Sequence, residues 1–284
     1  MSIAVAETPS VNERLSQRNF QKLANFIYDY CGIKMPPSKL TMLEGRLRRR
    51  LRVTQHSSFD EYCDYLFNHD GLEEEAVYLI DVVTTNKTDF FREPKHFEYM
   101  QQTALPTLLA SGVTSLRVWS SACSTGAEPY TIAMLLADFA AARSNFAWRV
   151  LATDISTEVL ETAHRGIYHS DLVLPVPSDM KKKYVMVSRK HDRNEVRISP
   201  RLRSNVGFAR MNLMDSAYSI GDPVHIIFCR NVLIYFDKET QQKVLSRLCD
   251  CLHKDGYMFI GHSETVGGFD LPLKQVANTV FRKI

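Results

Sequence analysis

Three polar residues stand where a nucleoside-binding sheet would want them. Glu128 follows a run of small residues, Ser120 to Ala127 (SSACSTGA), between the apolar segment LRVWSSA and the helical-looking PYTIAMLL. Asp154 ends WRVLATD (148–154), and Asn212 ends NVGFARMN (205–212). In an open α/β sheet a ligand sits beyond the carboxyl ends of the strands, near the switch point. A carboxylate there accepts two hydrogen bonds from a ribose diol, although Asp154 could equally cap a helix starting near Ser156. An asparagine amide can donate to and accept from an adenine edge, or close a turn. The loop alone would also serve as an ordinary strand–helix connection.

The loop says which adenosine compound fits. A pyrophosphate favours a glycine-dense turn at a helix N-terminus. This loop has one glycine, Gly126, and places Glu128 where a diphosphate would be repelled. S-adenosylmethionine has no phosphate and carries a sulfonium and an α-amino group, so a nearby carboxylate is favourable. The pattern points to a cationic nucleoside.

The elements that must position these residues follow from periodicity. Up to Asp81 the apolar residues recur at helical spacing: Phe20, Leu23, Ala24, Ile27 and Tyr28 in one stripe, Leu40, Leu43, Leu47 and Leu51 in another. Pro36-Pro37 separates them, Ser38 is a candidate cap, and 58–67 and 72–83 predict two more helices. After Pro94 short apolar strands alternate with helical stretches: 116–122, 148–154, 205–212, 224–231 and 256–262, with 273–284 as a closing strand or pair. This predicts an α/β fold with a doubly wound, mostly parallel sheet. The long basic interval 166–203, with a helix at 179–186 and a strand at 195–198, reads as an inserted subdomain at the sheet edge.

With 284 residues, 45% hydrophobic and 24% charged, the chain has the composition of a globular enzyme. It has no run of ~18 apolar residues for a membrane span and no secretory leader. Six scattered cysteines without a CxxC fit a reduced cytoplasm and offer no metal site. The net charge of +3 hides two basic concentrations, RLRRRLR at 46–52 and the interval 165–203. On a helix Arg46, Arg49 and Arg50 share a face opposite Leu43, Leu47 and Leu51. Such a face is either solvated surface or a dock for an acidic partner.

Beyond these readings, the chain resembles the chemotaxis receptor methyltransferases, the CheR family. The matching motifs are TTNKTDFFRE (84–93), VWSSACSTGAEPY, ATDIS (152–156), NL (212–213), FCRNVLIYF (228–236) and GHSE (261–264), in family order. The resemblance implies a Rossmann-like methyltransferase domain over 94–284 with a β-subdomain inserted at about 166–203. It also implies an all-helical domain over 15–83, a linker at 84–93 that reaches the cofactor, and a flexible arm at 1–14. Cofactor contacts are implied for Asn86, Thr88, Arg92, Ala122, Glu128, Asp154, Asn212, Leu213, Arg230 and Asn231. Arg92 and Tyr235 are implied to flank the methyl group and the substrate carboxylate, and Arg46, Arg49 and Arg50 to dock the receptor. The implied reaction is S-adenosylmethionine-dependent esterification of glutamates on the cytoplasmic methylation helices of chemoreceptors, releasing S-adenosylhomocysteine. In some relatives the subdomain also captures a receptor C-terminal tail; those relatives carry glycines in a loop that here reads SRKHDRNE (188–195). No nucleic-acid partner is expected, and membrane association only through receptors. A cofactor-binding adaptor without catalysis and a nucleic-acid methyltransferase are the competing readings.

Overall fold

The computed structural model describes residues 14–188 and 193–284. The arm expected at 1–14, save Arg14, and positions 189–192 of the SRKHDRNE loop lie outside the described residues. The chain divides into two compact units, one ending at Thr85 and one starting at Asn86.

The first unit is helical: α1 (Gln17–Cys31), α2 (Leu40–Thr54), α3 (Phe59–Asn68) and α4 (Leu72–Val83). The stripes read from the sequence are its core, with Phe20, Leu23 and Ile27 of α1 and Leu43, Leu47 and Leu51 of α2 buried. Ser16 caps α1 by accepting the N–H of Asn19, and Gly32 ends it in the left-handed region at φ 74°. Ser38 does not cap α2. Pro37–Lys39 instead form a 3₁₀ turn that runs straight into the helix, and Lys39 takes the cap position without a side-chain bond.

The second unit carries a seven-stranded sheet: β1 (Ser115–Ser120), β2 (Ala147–Asp154), β6 (Val206–Arg210), β7 (Val224–Cys229), β8 (Leu252–Ile260), β9 (Leu273–Ala277) and β10 (Val280–Lys283). Their spatial order is β6-β2-β1-β7-β8-β10-β9. The first five pair in parallel, and β10 runs antiparallel to both β8 and β9. From β1 the chain winds outward through β2 to β6, then returns to β7 on the other side of β1. The switch point, where such sheets bind ligands, therefore lies between the ends of β1 and β7.

Both faces of the sheet are covered, as parallel pairing requires. Phe228 and Phe259 stack at 4.5 Å on one face, while Ile227 and Met258 pack with Val244, Leu245 and Leu248 of α11 (Lys238–Asp250) on the other. Helix α7 (Ala127–Ala141), which follows the small-residue loop, is buried almost all round. Preceding β1, α5 (Pro94–Tyr99) continues through a π-helical turn at Met100–Ala104 into α6 (Leu105–Ala110).

Between α8 (Thr157–Arg165) and α10 (Pro200–Arg203) the inserted interval forms its own antiparallel sheet. Its order is β3-β5-β4, from β3 (Ile167–His169), β4 (Val185–Val187) and β5 (Glu195–Ile198), with α9 (Ser178–Tyr184) leading into β4.

Candidate functional site

Every cofactor candidate named from the sequence falls in the second unit, either in the segment 86–93 or at or beyond the carboxyl ends of β1, β2, β6 and β7. The centre is Arg230, the first residue after β7, whose side chain is 2% exposed. Its Nη1 donates to Glu128 Oε2 at 2.8 Å, and its Nη2 donates to the carbonyl oxygen of Arg92 at 2.6 Å. The same Nη2 lies 3.0 Å from Glu93 Oε2. Ser120, the last residue of β1, donates to the other Glu128 oxygen at 2.7 Å. Burial raises the proton affinity of Glu93, but the Arg230 charge and the hydrogen bonds from Asn231 and Arg230 outweigh it and hold the carboxyl below its ordinary range. A buried guanidinium between two carboxylates is stable only because each charge is met. Arg230 Nε, however, is buried and has no partner.

The segment 86–93 is fastened to this centre by its backbone. Ser124 Oγ donates to the carbonyl of Asn86 at 2.7 Å, and the N–H of Phe91 donates to Thr131 Oγ1 at 3.1 Å. Phe90 is buried, edge-on to Tyr168. Phe91 and Glu93, on either side of Arg92, both adopt left-handed φ values of 55° and 58°. Such conformations cost on the order of 1–3 kcal/mol each and persist where surrounding bonds over-determine them. The bonds from Thr131 and Arg230 supply that constraint, and the half-buried Arg92 side chain donates to Lys87 O at 3.2 Å.

Asp154 Oδ2 accepts the N–H of Ser124 at 2.8 Å and Oδ1 that of Ser156 at 3.0 Å. It thus ties the loop after β1 to the end of β2, but it does not cap α8, which starts from Ser156 at the N-cap with no side-chain cap bond. A carboxylate offers about four acceptor sites, so these bonds are compatible with the paired hydroxyls of a ribose. Gly126 adopts a left-handed φ of 94°. A Cβ there would stand 2.9 Å from both Ala163 Cβ and Tyr168 Oη, so packing as well as backbone conformation requires the missing side chain.

Asn212 Oδ1 accepts the N–H of Met214 at 3.0 Å, the turn chemistry that was one of its two readings from the sequence. Leu213 is buried beside it, while Ala122 and Thr88 are half-buried. Tyr235 closes the 3₁₀ turn Leu233–Tyr235 that follows Asn231, half-buried against the core that holds Trp119 and Leu213.

Four polar residues that the sequence reading left without a role belong to the same network. Glu93 forms an ion pair with Arg230 through Oε2 and accepts from Asn231 Nδ2 at Oε1, 3.1 Å away. Glu264 accepts backbone N–H groups from the loop after β7. His96 and His262 stand beside Glu93, their ligating atoms and its carboxylate within 4.8 Å of one another, with Arg230 already supplying a cation to that carboxylate. Burial, together with the Arg230 charge, pushes the His96 imidazole down to about 4. The acidic ends of FFRE and GHSE were the available signal, since a motif that ends in Glu inside an apolar run asks for a buried partner.

Arg46, Arg49 and Arg50 lie in the first unit. Arg46 donates to the carbonyls of Val83 and Thr84 and, at 3.0 Å, to Thr85 Oγ1, capping the end of α4. Arg50 makes a bidentate pair with Glu75, Nε–Oε2 3.0 Å and Nη2–Oε1 2.5 Å, and its guanidinium stacks over Tyr78. Of the three, Arg49 is exposed.

The residues present fit S-adenosylmethionine: a carboxylate in the first turn of α7 and another at the end of β2, no glycine-dense phosphate turn, and a buried guanidinium Nε without a partner. Residues 86–282 match the family model for the CheR methyltransferase SAM-binding domain, and residues 18–84 match the CheR methyltransferase all-alpha domain. Among curated proteins the chain is 37% identical over 264 residues to the chemotaxis protein methyltransferase of Borreliella burgdorferi, covering 91% of this chain and 92% of that protein. It is 38% identical over 268 residues to that of Escherichia coli, covering 94% and 91%. To that of Salmonella typhimurium it is 40% identical over 252 residues, covering 88% and 84%.

Proposed function

Because the chain belongs to the CheR methyltransferase family, we propose that the Arg230 network is the methyl-transfer centre of an S-adenosylmethionine-dependent protein-glutamate O-methyltransferase acting on chemoreceptors. One observation carries the assignment of the centre. Arg230 bonds both Glu128, at the end suited to the cofactor's amino group, and the backbone of Arg92, the residue assigned to the substrate carboxylate.

When bound, S-adenosylmethionine supplies an electrophilic methyl group, and its transfer to an ionised carboxylate neutralises both charges without moving a proton. A glutamate with a pKa near ~4.3 is already ionised at neutral pH, so the site needs no general base. What remains is alignment, which is worth ~7–11 kcal/mol in well-oriented intramolecular reactions. Asp154 holds the ribose, Glu128 the amino group, and Asn212 and Leu213 the base. Asn86, Thr88, Ala122, Arg230 and Asn231 complete the cofactor pocket. Arg92 pairs with the incoming glutamate, and Tyr235 orients the glutamate or the methyl group.

The substrate is the acidic methylation helix of a chemoreceptor's cytoplasmic region, so the enzyme works in the cytoplasm. No described helix is long and apolar enough to cross a membrane, and all six cysteines are free thiols. The edge strand β4, with Met186 51% and Val187 77% exposed, is a ladder to which a receptor C-terminal tail could add. Retention of a tail peptide on the immobilised protein tests that contact. The activity is tested with methyl-labelled S-adenosylmethionine and receptor-containing membranes. Label released as methanol by mild base supports glutamyl esters; base-stable label or none, with cofactor binding confirmed, counts against the reading.

A further inference from the structure

The GHSE motif at 261–264 has no role in the chemistry above, yet its geometry is specific. Glu264 follows β8 and is 8% exposed. Its Oε1 accepts the N–H of Leu233 at 2.8 Å, and its Oε2 accepts those of Asn231 at 3.0 Å and Gly261 at 2.5 Å. Two of these donors belong to the loop that carries Arg230, Asn231 and Tyr235 out of β7. Asn231 is held there in the left-handed region at φ 59°. Gly261 leaves room for the arrangement, since a Cβ would sit 2.6 Å from Asn231 Nδ2 and 2.8 Å from Glu264 Oε2. So placed, Asn231 Nδ2 reaches Glu93 Oε1 at 3.1 Å and links the loop to the segment that bears Arg92.

We propose that Glu264 is a positioning residue for methyl transfer: its carboxylate sets the backbone of residues 231–233 and thereby the place of Tyr235. It acts through that loop and not on substrate or cofactor. The proposal rests on the assignment of Tyr235 given above. A carboxylate suits the task because it is an acceptor at both oxygens, whereas an amide sets an N–H₂ group against one of the backbone donors. A misplacement of about 1 Å in a reacting group can lower turnover on the order of 10²-fold.

The test is a double-mutant cycle between Glu264→Gln and Tyr235→Phe, read as kcat, receptor KM and calorimetric affinity for S-adenosylhomocysteine, with thermal melting as the control for folding. The expected result is a kcat loss approaching ~10²-fold for Glu264→Gln with receptor KM little changed. In the Tyr235→Phe background the same substitution should cost less than ~5-fold, because both changes remove one alignment. Equal fold-losses in the two backgrounds, or wild-type kcat with only a lowered melting temperature, would overturn the proposal. If Glu264→Gln does not fold, Glu264→Asp, which keeps the charge but retracts the oxygens by one methylene, goes through the same cycle under the same criteria. Wild-type transfer of base-labile label separates the two readings. Its absence removes the functional assignment and the clamp together, whereas its presence beside an unaffected Glu264→Gln removes the clamp alone.

Discussion

Arg230 Nη1 lies 2.8 Å from Glu128 Oε2, across the switch point between β7 and α7. Each of these residues follows a strand separately legible in the sequence, but the bond between them joins positions 102 residues apart. Charge in this part of the site is therefore set by a pair, and removing one member leaves the other buried.

The first expectation concerns that pair. Replacing Arg230 with Met should destabilise the second unit by about 3–5 kcal/mol, because Glu93 and Glu128 lose their shared counter-charge. Glu128→Gln keeps the Ser120 contact but removes the charge and sets an N–H₂ group against Arg230 Nη1; with Glu93 still countering the guanidinium it should fold, less stably than the wild type, and bind S-adenosylhomocysteine ~10–100-fold more weakly. Calorimetry reads both effects; an unchanged affinity in Glu128→Gln would remove Glu128 from the cofactor site.

A second expectation separates Arg92 from its backbone. The network holds Arg92 by its carbonyl, so truncating the side chain leaves the fold of the segment intact. Arg92→Ala should melt within ~0.5 kcal/mol of the wild type and lose ~10²-fold or more in kcat/KM for receptor, as loss of a charged hydrogen bond to a reacting carboxylate predicts. Full turnover with ordinary receptor affinity would show that another cation meets the glutamate.

The arginine-rich helix divides by what each side chain touches. Arg50 and Glu75 are a bidentate pair with side chains only 11% and 7% exposed. Arg50→Ala should therefore unfold the helical unit more readily, by about 3–5 kcal/mol, with Glu75 left uncompensated. Arg49→Glu, at an exposed position, should leave stability within ~0.5 kcal/mol and raise the receptor KM. A triple alanine variant of Arg46, Arg49 and Arg50 would mix the two effects. Denaturant melts of the single variants beside their receptor kinetics distinguish folding from docking, and a receptor KM indifferent to Arg49→Glu would move the dock elsewhere.

The fold was legible because its signals are local. Leucine spacing marked α2, strand–helix alternation marked the parallel sheet, and small residues before Glu128 marked the loop. What was not legible depends on pairing across the chain. Nothing in RLRRRLR says that Arg50 meets Glu75 or that Arg46 caps α4, because helical spacing assigns faces and not partners. Nor could the glycine count reveal that Gly126 is needed against Ala163 and Tyr168. The roles of Glu93 and Glu264 are of the same kind. Each residue is visible inside its motif, but the partners that give it a role arrive from the loop after β7, 31 or more residues away.

The last expectation follows from two imidazoles held neutral by burial. His96 and His225 are both pushed from 6.5 down to about 4, first by burial and then by nearby positive groups, Arg230 for His96 and His253 for His225. A lowered histidine pKa means that between these values the unfolded chain binds protons the folded chain refuses. Stability therefore rises with pH through this window and is lost as pH falls from about 6.5 towards about 4. At ~1.4 kcal/mol per pKa unit the buried His96 accounts for up to roughly 3 kcal/mol of that loss, and the half-buried His225, screened by solvent, for less. His225 lies at the far end of β7 from the site, where its Nδ1 accepts the N–H of Arg117 at 3.1 Å. Glutamine can accept the same bond without titrating, so His225→Gln should flatten the slope of unfolding free energy against pH while leaving stability at pH 7 near the wild type. Urea titrations at a series of pH values between 7 and 5 measure that slope. A variant that follows the wild-type curve throughout would mean that His225 is protonated in the native state and that the acid sensitivity has another source.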